Sequence, residues 1–249
     1  MTIDPELQSA HAALVQQFDA VNGAQSNDNN VLASIGSQLA MLKVMLTERD
    51  ILYPQQSDVQ QHKDALVLTR EVLEIGALWS IRVQDTSSFD RYWSQLKPFY
   101  LDLVHALPLS KNYEPIVGLS LLRSLSSNSI ASFHIALESL PMELVRDSPY
   151  IQHPVLLERW LMEGSYSNVW RERENVPLED YRFFVNFLMV TNRQENATFE
   201  EKAYDTLPLN DVATLLFLDS LPEVLEFAKE RGWHVNPTNQ TIEFANKAV

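Results

Sequence analysis

Apolar residues recur along this chain mostly at helical intervals. Leu7, Leu14 and Phe18 form one stripe behind Asp4 and Pro5, a capping residue with proline at the first helical position. That helix is expected to end near Gly23, and Gln25 to Asn30 reads as a polar link. Ile35, Leu39, Leu42 and Leu46 step by four, three and four residues and predict a helix from about Val31 to Asp50, stopped at Tyr53-Pro54. From about Asp58 to Gln84 the positions Leu66, Leu73, Ile75, Leu78, Trp79 and Ile81 fit no single stripe, which places this helix between two neighbours. Phe89, Trp93, Leu96, Tyr100, Leu103 and Leu107 continue at helical spacing through Pro98, where a kink is expected. Shorter helices follow at about Pro115–Ser126, Ser129–Leu140 and Pro149–Glu163.

Gly164 closes one helix and Ser165 can cap the next through Trp170. After a break at Asn175-Val176-Pro177, helices are predicted over Leu178–Asn192 and Thr198–Leu207. A helix over Asn210–Asp219 is followed by another that Ser220 caps, with Pro222 just inside it and Gly232 at its end. Trp233-His234-Val235 and Thr241-Ile242-Glu243-Phe244 then flank a polar turn, which reads as strand, turn, strand. Two helices followed by a hairpin is the C-terminal half of a winged helix. The fold class is therefore mostly α: paired helices with short loops over residues 1–190, like the repeats of an α-solenoid arm, then a winged helix over 191–249.

Charge changes what that winged helix can do. The net charge is −14, and no Lys or Arg precedes Lys43. The helix from Pro222 to Arg231 sets Glu223, Glu226 and Glu230 against Lys229 and Arg231, so it is net acidic. A helix that enters a major groove must offset phosphate charge with Lys and Arg. This one is expected to hold protein, with no nucleic acid, membrane or small-molecule partner. No signal sequence is visible, and no run is expected to reach the roughly 18 apolar residues of a membrane span. The absence of cysteine excludes disulfides, thiolate metal sites and cysteine nucleophiles.

No catalytic motif stands out. There is no phosphate-cradling glycine loop, no nucleophile elbow and no H-E-x-x-H pair, and catalytic, cofactor and metal residues are expected to be none. His105 and His134 read as packing residues, and His153-Pro154 as a cap or turn opening a helix. Acidic pairs such as Glu172 with Glu174 and Glu200 with Glu201 read as solvated surface, and Trp79, Trp93, Trp160 and Trp170 as core.

Several stretches are specific in wording. They are Ile151-Gln152-His153-Pro154-Val155 with Leu157-Glu158, then Leu161-Met162-Glu163-Gly164-Ser165-Tyr166. Leu73 to Ile81, Tyr92 with Gln95-Leu96-Lys97, Glu201-Lys202-Ala203-Tyr204 and Arg231-Gly232-Trp233 add to them. Together these resemble the PCI-domain family, in particular the small non-ATPase lid subunits of the 26S proteasome regulatory particle, over about residues 73–244. The resemblance implies a helical-repeat arm fused to a winged helix, and other PCI lid subunits as partners, packed winged helix to winged helix. It further implies a non-catalytic scaffold and assembly role in ubiquitin-dependent degradation, in cytoplasm and nucleus. Subunits of the COP9 signalosome or of translation initiation factor three are the related alternatives, and a nucleic-acid adaptor is a more distant one. The sequence departs from the family at Asn196 and Phe199, where the family has Ile and Cys. The further helix the family carries after the wing is not expected in a sequence that stops at Val249.

An unpaired strand edge is a ready interface, because a neighbour's strand can extend the sheet. The expected contact runs along Trp233–Asn236 and Thr241–Phe244, with Trp233, Val235, Asn236, Thr241 and Glu243 as candidate interface residues. Trp233 is also expected to anchor the hairpin to the last helix.

Overall fold

The computed structural model describes all residues except 1–4, 25–28, 50, 53–61, 105, 219, 237–238 and 245–249. Expectations for Asp4, the link from Gln25, Tyr53-Pro54, a start at Asp58, His105 and the turn residues Pro237-Thr238 lie outside the described residues. Two compact units divide within one helix, Met1–Ser120 and Leu121–Val249.

The first unit contains α1 (Pro5–Ala24), α2 (Asn29–Glu48), α3 (Lys63–Arg82), α4 (Thr86–Leu101) and the start of α5 (Tyr113–Ser126). α1 turns Leu7, Leu14, Phe18 and Val21 inward, and α2 turns Leu32, Ile35, Leu39, Leu42 and Leu46. α3 is buried on several faces, as its pattern requires of a helix with neighbours on two sides. Two glycines let those neighbours close in. A Cβ on Gly36 would lie 2.7 Å from the Trp79 ring, and one on Gly76 only 2.2 Å from the Tyr92 ring. Trp79 also donates from Nε1 to the Leu32 carbonyl at 2.8 Å, fastening α3 to α2. Asp85 caps α4 by accepting from the backbone N–H groups of Ser87 and Ser88. Those two hydroxyls donate to it as well, and together these bonds hold its carboxyl down at about 2.

α2 corrects the expectation about apolar runs. Asn30–Glu48 reaches a mean hydropathy of 1.2, long and apolar enough on composition to cross a membrane. The stripe from Leu32 to Leu46 nevertheless lies in the core of the first unit, which is what an amphipathic packing helix requires.

α4 ends at Leu101 and does not kink through to Leu107. Pro98 has no N–H to give the ladder, and a buried carboxylate takes hold of the segment beyond. Glu74 on α3 is 1% exposed. It accepts from Tyr100 Oη at 3.0 Å, Ser110 Oγ at 2.7 Å and Asn112 Nδ2 at 3.2 Å. Arg70 lies 3.4 Å from it and donates to the Pro108 carbonyl. Burial pushes the Glu74 carboxyl upward, and these partners pull against that. Leu103 and Leu107 are still buried, but on an irregular segment.

The second unit continues through α6 (Ile130–Glu138), α7 (Met142–Asp147), α8 (Pro149–Met162), α9 (Tyr166–Glu172), α10 (Glu179–Ala203), β1 (Thr206–Pro208), α11 (Leu209–Leu215), α12 (Leu221–Arg231), β2 (His234–Asn236) and β3 (Thr241–Glu243). α7 carries no signal in the pattern. α10 replaces two expected helices and runs unbroken past residue 190, where the division between arm and winged helix was expected. No glycine or proline interrupts it, and its polar middle has partners: Arg193 donates to the carbonyls of Leu216 and Phe217. Thr206-Leu207-Pro208 is a strand, not the end of a helix, because it pairs with β3.

His153-Pro154 does not open a helix. It lies inside α8, one turn past Pro149, with both residues buried. Proline at 154 cannot donate to the carbonyl four residues back, that of Tyr150. The Tyr181 hydroxyl on α10 donates to that carbonyl instead, at 3.2 Å. The His153 ring meets Tyr181 edge-on at 5.9 Å, and its two nitrogens have no hydrogen-bond partner. Burial lowers its pKa to about 4, so the ring is neutral. His134 is half-exposed and lies 3.2 Å from Glu158, a surface pair and not a packing residue.

Candidate interaction surface on the winged helix

The C-terminal half of α10, β1, α11, α12 and the β2–β3 hairpin enclose one core. Ala197, Leu207, Val212, Val224, Phe227 and Ile242 are among its buried members. α12 ends on Gly232 in the left-handed conformation, φ 73°. The Trp233 N–H returns to the Ala228 carbonyl at 2.8 Å, and this turn aims the chain into β2. Ser220 stands at the start of α12, but its hydroxyl donates to the Glu223 carboxylate at 2.8 Å and makes no bond to a backbone N–H.

Trp233 is an internal anchor. It is 8% exposed and packs edge-on against Phe227 and Phe244. It donates from Nε1 to Glu201 at 2.7 Å. Glu201 also faces Arg231 at 3.3 Å, and Arg231 donates to Gln194 O and Thr198 Oγ1. One of the two cations on α12 is therefore turned onto α10. The open surface keeps Glu223, Glu226, Glu230 and Lys229, all exposed.

The sheet has the order β1-β3-β2. β3 is thus the central strand, paired with β2 through His234↔Glu243, Val235↔Ile242 and Asn236↔Thr241. On its other side Thr206↔Glu243 and Pro208↔Thr241 are partners. An open edge along Thr241–Phe244 is corrected by this pairing: the main chain of Thr241 and Glu243 already faces a strand on both sides. Their side chains, like those of Val235 and Asn236, are partly exposed. Among the described residues, no strand pairs with the outer side of β2. Missing from the sequence reading was β1, a three-residue strand too short to carry a period.

Glu200 is a second correction. It belongs to no solvated pair: it is 6% exposed, and burial pushes its carboxyl up to about 7, with Glu201 adding to the effect. Asn196 and Phe199, the two departures from the family wording, lie beside it along one groove. Among the described residues, no group of three or more His, Asp or Glu is gathered to hold a metal ion.

Residues 111–249 match the model of the CSN8/PSMD8/EIF3K family. The chain belongs to the CSN8/PSMD8/EIF3K family. The match begins just before α5 and spans α8 with its His153-Pro154 pair, α10 and the winged helix. Relatives extend the likeness toward the N-terminus. The chain is 32% identical to the 26S proteasome regulatory subunit RPN12 of Saccharomyces cerevisiae over 228 residues, 89% of this chain and 82% of that one. It is 34% identical to the 26S proteasome non-ATPase regulatory subunit 8 homolog A of Arabidopsis thaliana, over 94% of this chain and 85% of the relative. The rpn12 subunit of Schizosaccharomyces pombe is 36% identical, over 80% and 71%. These spans are longer than the family match, so the likeness to these relatives includes part of the first compact unit.

Proposed function

We propose that this protein is a non-catalytic scaffold subunit of the lid of the 26S proteasome regulatory particle, acting in ubiquitin-dependent degradation in cytoplasm and nucleus. The observation that carries this reading is the likeness to relatives named as proteasome regulatory subunits over most of both chains. The winged helix supports a protein partner over nucleic acid. Its exposed helix α12 is acidic, and phosphate contacts need a surplus of cations. The partner is another PCI subunit, and its contact runs along the outer edge of β2, beside Val235 and Asn236, where a strand can be added by main-chain hydrogen bonds.

Capture by the tagged full chain tests this, with the bound proteins identified by mass spectrometry. Proteasome regulatory-particle subunits are the expected result. Recovery of COP9 signalosome or initiation-factor subunits in their place refutes the assignment while keeping the family. Lysines on an edge strand oppose strand addition. The double variant His234→Lys with Asn236→Lys is therefore expected to lose capture of the PCI neighbour while its circular dichroism stays unchanged.

A further inference from the structure

A groove of about 490 Å³ opens between the start of α9, the C-terminal half of α10 and the end of α11. Its walls are Tyr166, Phe199, Leu215 and Phe217. Phe199 is 60% exposed and Leu215 42%, an unusual exposure for side chains that large. Inside lies Glu200, 6% exposed, with its Oε2 buried and without a hydrogen-bond partner. A carboxylate in that position has lost water and gained nothing in return. The guanidinium groups of Arg193 and Arg231 are engaged elsewhere: Arg193 bonds the carbonyls of Leu216 and Phe217, and Arg231 turns to Gln194, Thr198 and Glu201.

One wall of the groove is held in a strained conformation. Phe217 has φ 53°, the left-handed region that a helix C-terminus normally gives to glycine. An L residue there is disfavoured by the contact of its Cβ with the backbone, and such strain gathers at functional sites. The Leu218 N–H to the Ala213 carbonyl, at 2.9 Å, and the two Arg193 bonds hold this turn. The strained backbone sets the Phe217 ring 6.4 Å from Tyr166 and stacks it 6.3 Å from Trp170. The result is an aromatic wall in the groove that Phe199 and Leu215 also line.

We infer that this groove docks a segment of a partner protein carrying a large apolar side chain close to a lysine or arginine. The apolar walls take the first side chain, and the cation closes the open hydrogen-bonding position on Glu200. Charge selects the sign: the orphan group is an acid, Glu201 stands beside it in sequence, and the chain as a whole carries −14. An acidic or phosphate-bearing ligand is repelled on all three counts. The inference goes beyond the proteasome reading and does not depend on it, because the groove and the outer edge of β2 are formed by different residues.

The full chain is titrated into fluorescein-labelled dodecapeptides of Gly and Ser holding one Phe, with a Lys one, two, three or four residues away. Matched peptides carry Glu for Lys or Ala for Phe, and fluorescence anisotropy is read. At least one Phe/Lys spacing is expected to bind, and its Phe/Glu counterpart to bind at least about tenfold more weakly, the scale of one charge-assisted hydrogen bond. Glu200→Gln is expected to erase most of that difference, and Ser167→Trp, which fills the groove from its exposed rim, to abolish binding. Thermal melting of both variants reports that they fold. No binding of any peptide to 1 mM, equal binding of Lys and Glu peptides, or indifference to Glu200→Gln each overturns the inference. So does 2-phenylethylamine binding as tightly as the best peptide, which makes the groove a small-molecule pocket. Loss of proteasomal capture with peptide binding intact refutes only the proposed function.

Discussion

Replacing Tyr181 by Phe removes the one hydroxyl that stands in for a helical N–H. The Tyr150 carbonyl lacks its ladder partner because residue 154 is proline, and Tyr181 Oη supplies the bond at 3.2 Å. Tyr181 is fully buried, so water does not replace it readily. Tyr181→Phe is expected to destabilise by about 1–1.5 kcal/mol, the net worth of a buried neutral hydrogen bond together with part of the desolvation of the carbonyl left behind. The decisive comparison is with Pro154→Ala, which returns an N–H to position 154. In that background the helix itself satisfies Tyr150, and the same Tyr181→Phe change is expected to cost less than about 0.5 kcal/mol, a coupling near 1 kcal/mol. Urea unfolding of the four proteins, followed by circular dichroism, measures it. The cycle also cancels the effect of proline on the unfolded chain. Additivity of the two changes, or no cost for Tyr181→Phe in the native background, refutes the account of why Pro154 and Tyr181 face each other.

Three further perturbations test other parts of the fold. The Glu200 carboxyl titrates near 4.5 unfolded and about 7 folded, so stability falls as pH rises between those values. The full displacement is at most about 3 kcal/mol, cut to about 1–2 by water in the open groove, and Glu200→Gln is expected to raise the melting temperature at pH 8 and leave it nearly unchanged at pH 4.5. His153 has the opposite sign: folded about 4 against 6.5 unfolded, its neutral ring favours folding above pH 6.5, and that contribution is lost as pH falls to 4. His153→Phe is expected to flatten the acid side of the melting profile, and an unchanged slope contradicts the buried neutral ring. Gly76→Ala drives a methyl into the Tyr92 ring and is expected to cost about 1–3 kcal/mol by overpacking, partly relieved by Tyr92→Leu; denaturant midpoints of the single and double variants decide it.

Much of this architecture could be read from side-chain spacing. The stripes on α1 and α2, the many-sided burial of α3 and the Gly232 turn into β2 each follow from a local signal. What failed depended on distant partners. Nothing near Leu101 announces that Glu74 will capture Ser110 and Asn112 and end α4 early. The polar stretch through Arg193 reads as a loop until the carbonyls of Leu216 and Phe217 give it a role inside α10. Thr206–Pro208 is a strand only because β3 lies beside it. The interface candidates divide along the same line. Trp233 was legible as an anchor of the hairpin on the last helix, whereas the central place of β3 required β1. Glu200 differs from the expectation because an acidic pair in an acidic chain is ordinarily wet; one member instead lies in a groove that it shares with residues of α9 and α11, which no local pattern announces.

The three-strand order has a consequence for stoichiometry. If two such domains joined β2 to β2, the strands would run β1-β3-β2-β2-β3-β1, with each end capped by a strand of three residues. Each terminal strand closes on Pro208, which offers no N–H, and passes straight into a helix. Such a ribbon has nowhere to grow. Edge pairing would therefore count to two and stop, giving discrete couples in place of fibres.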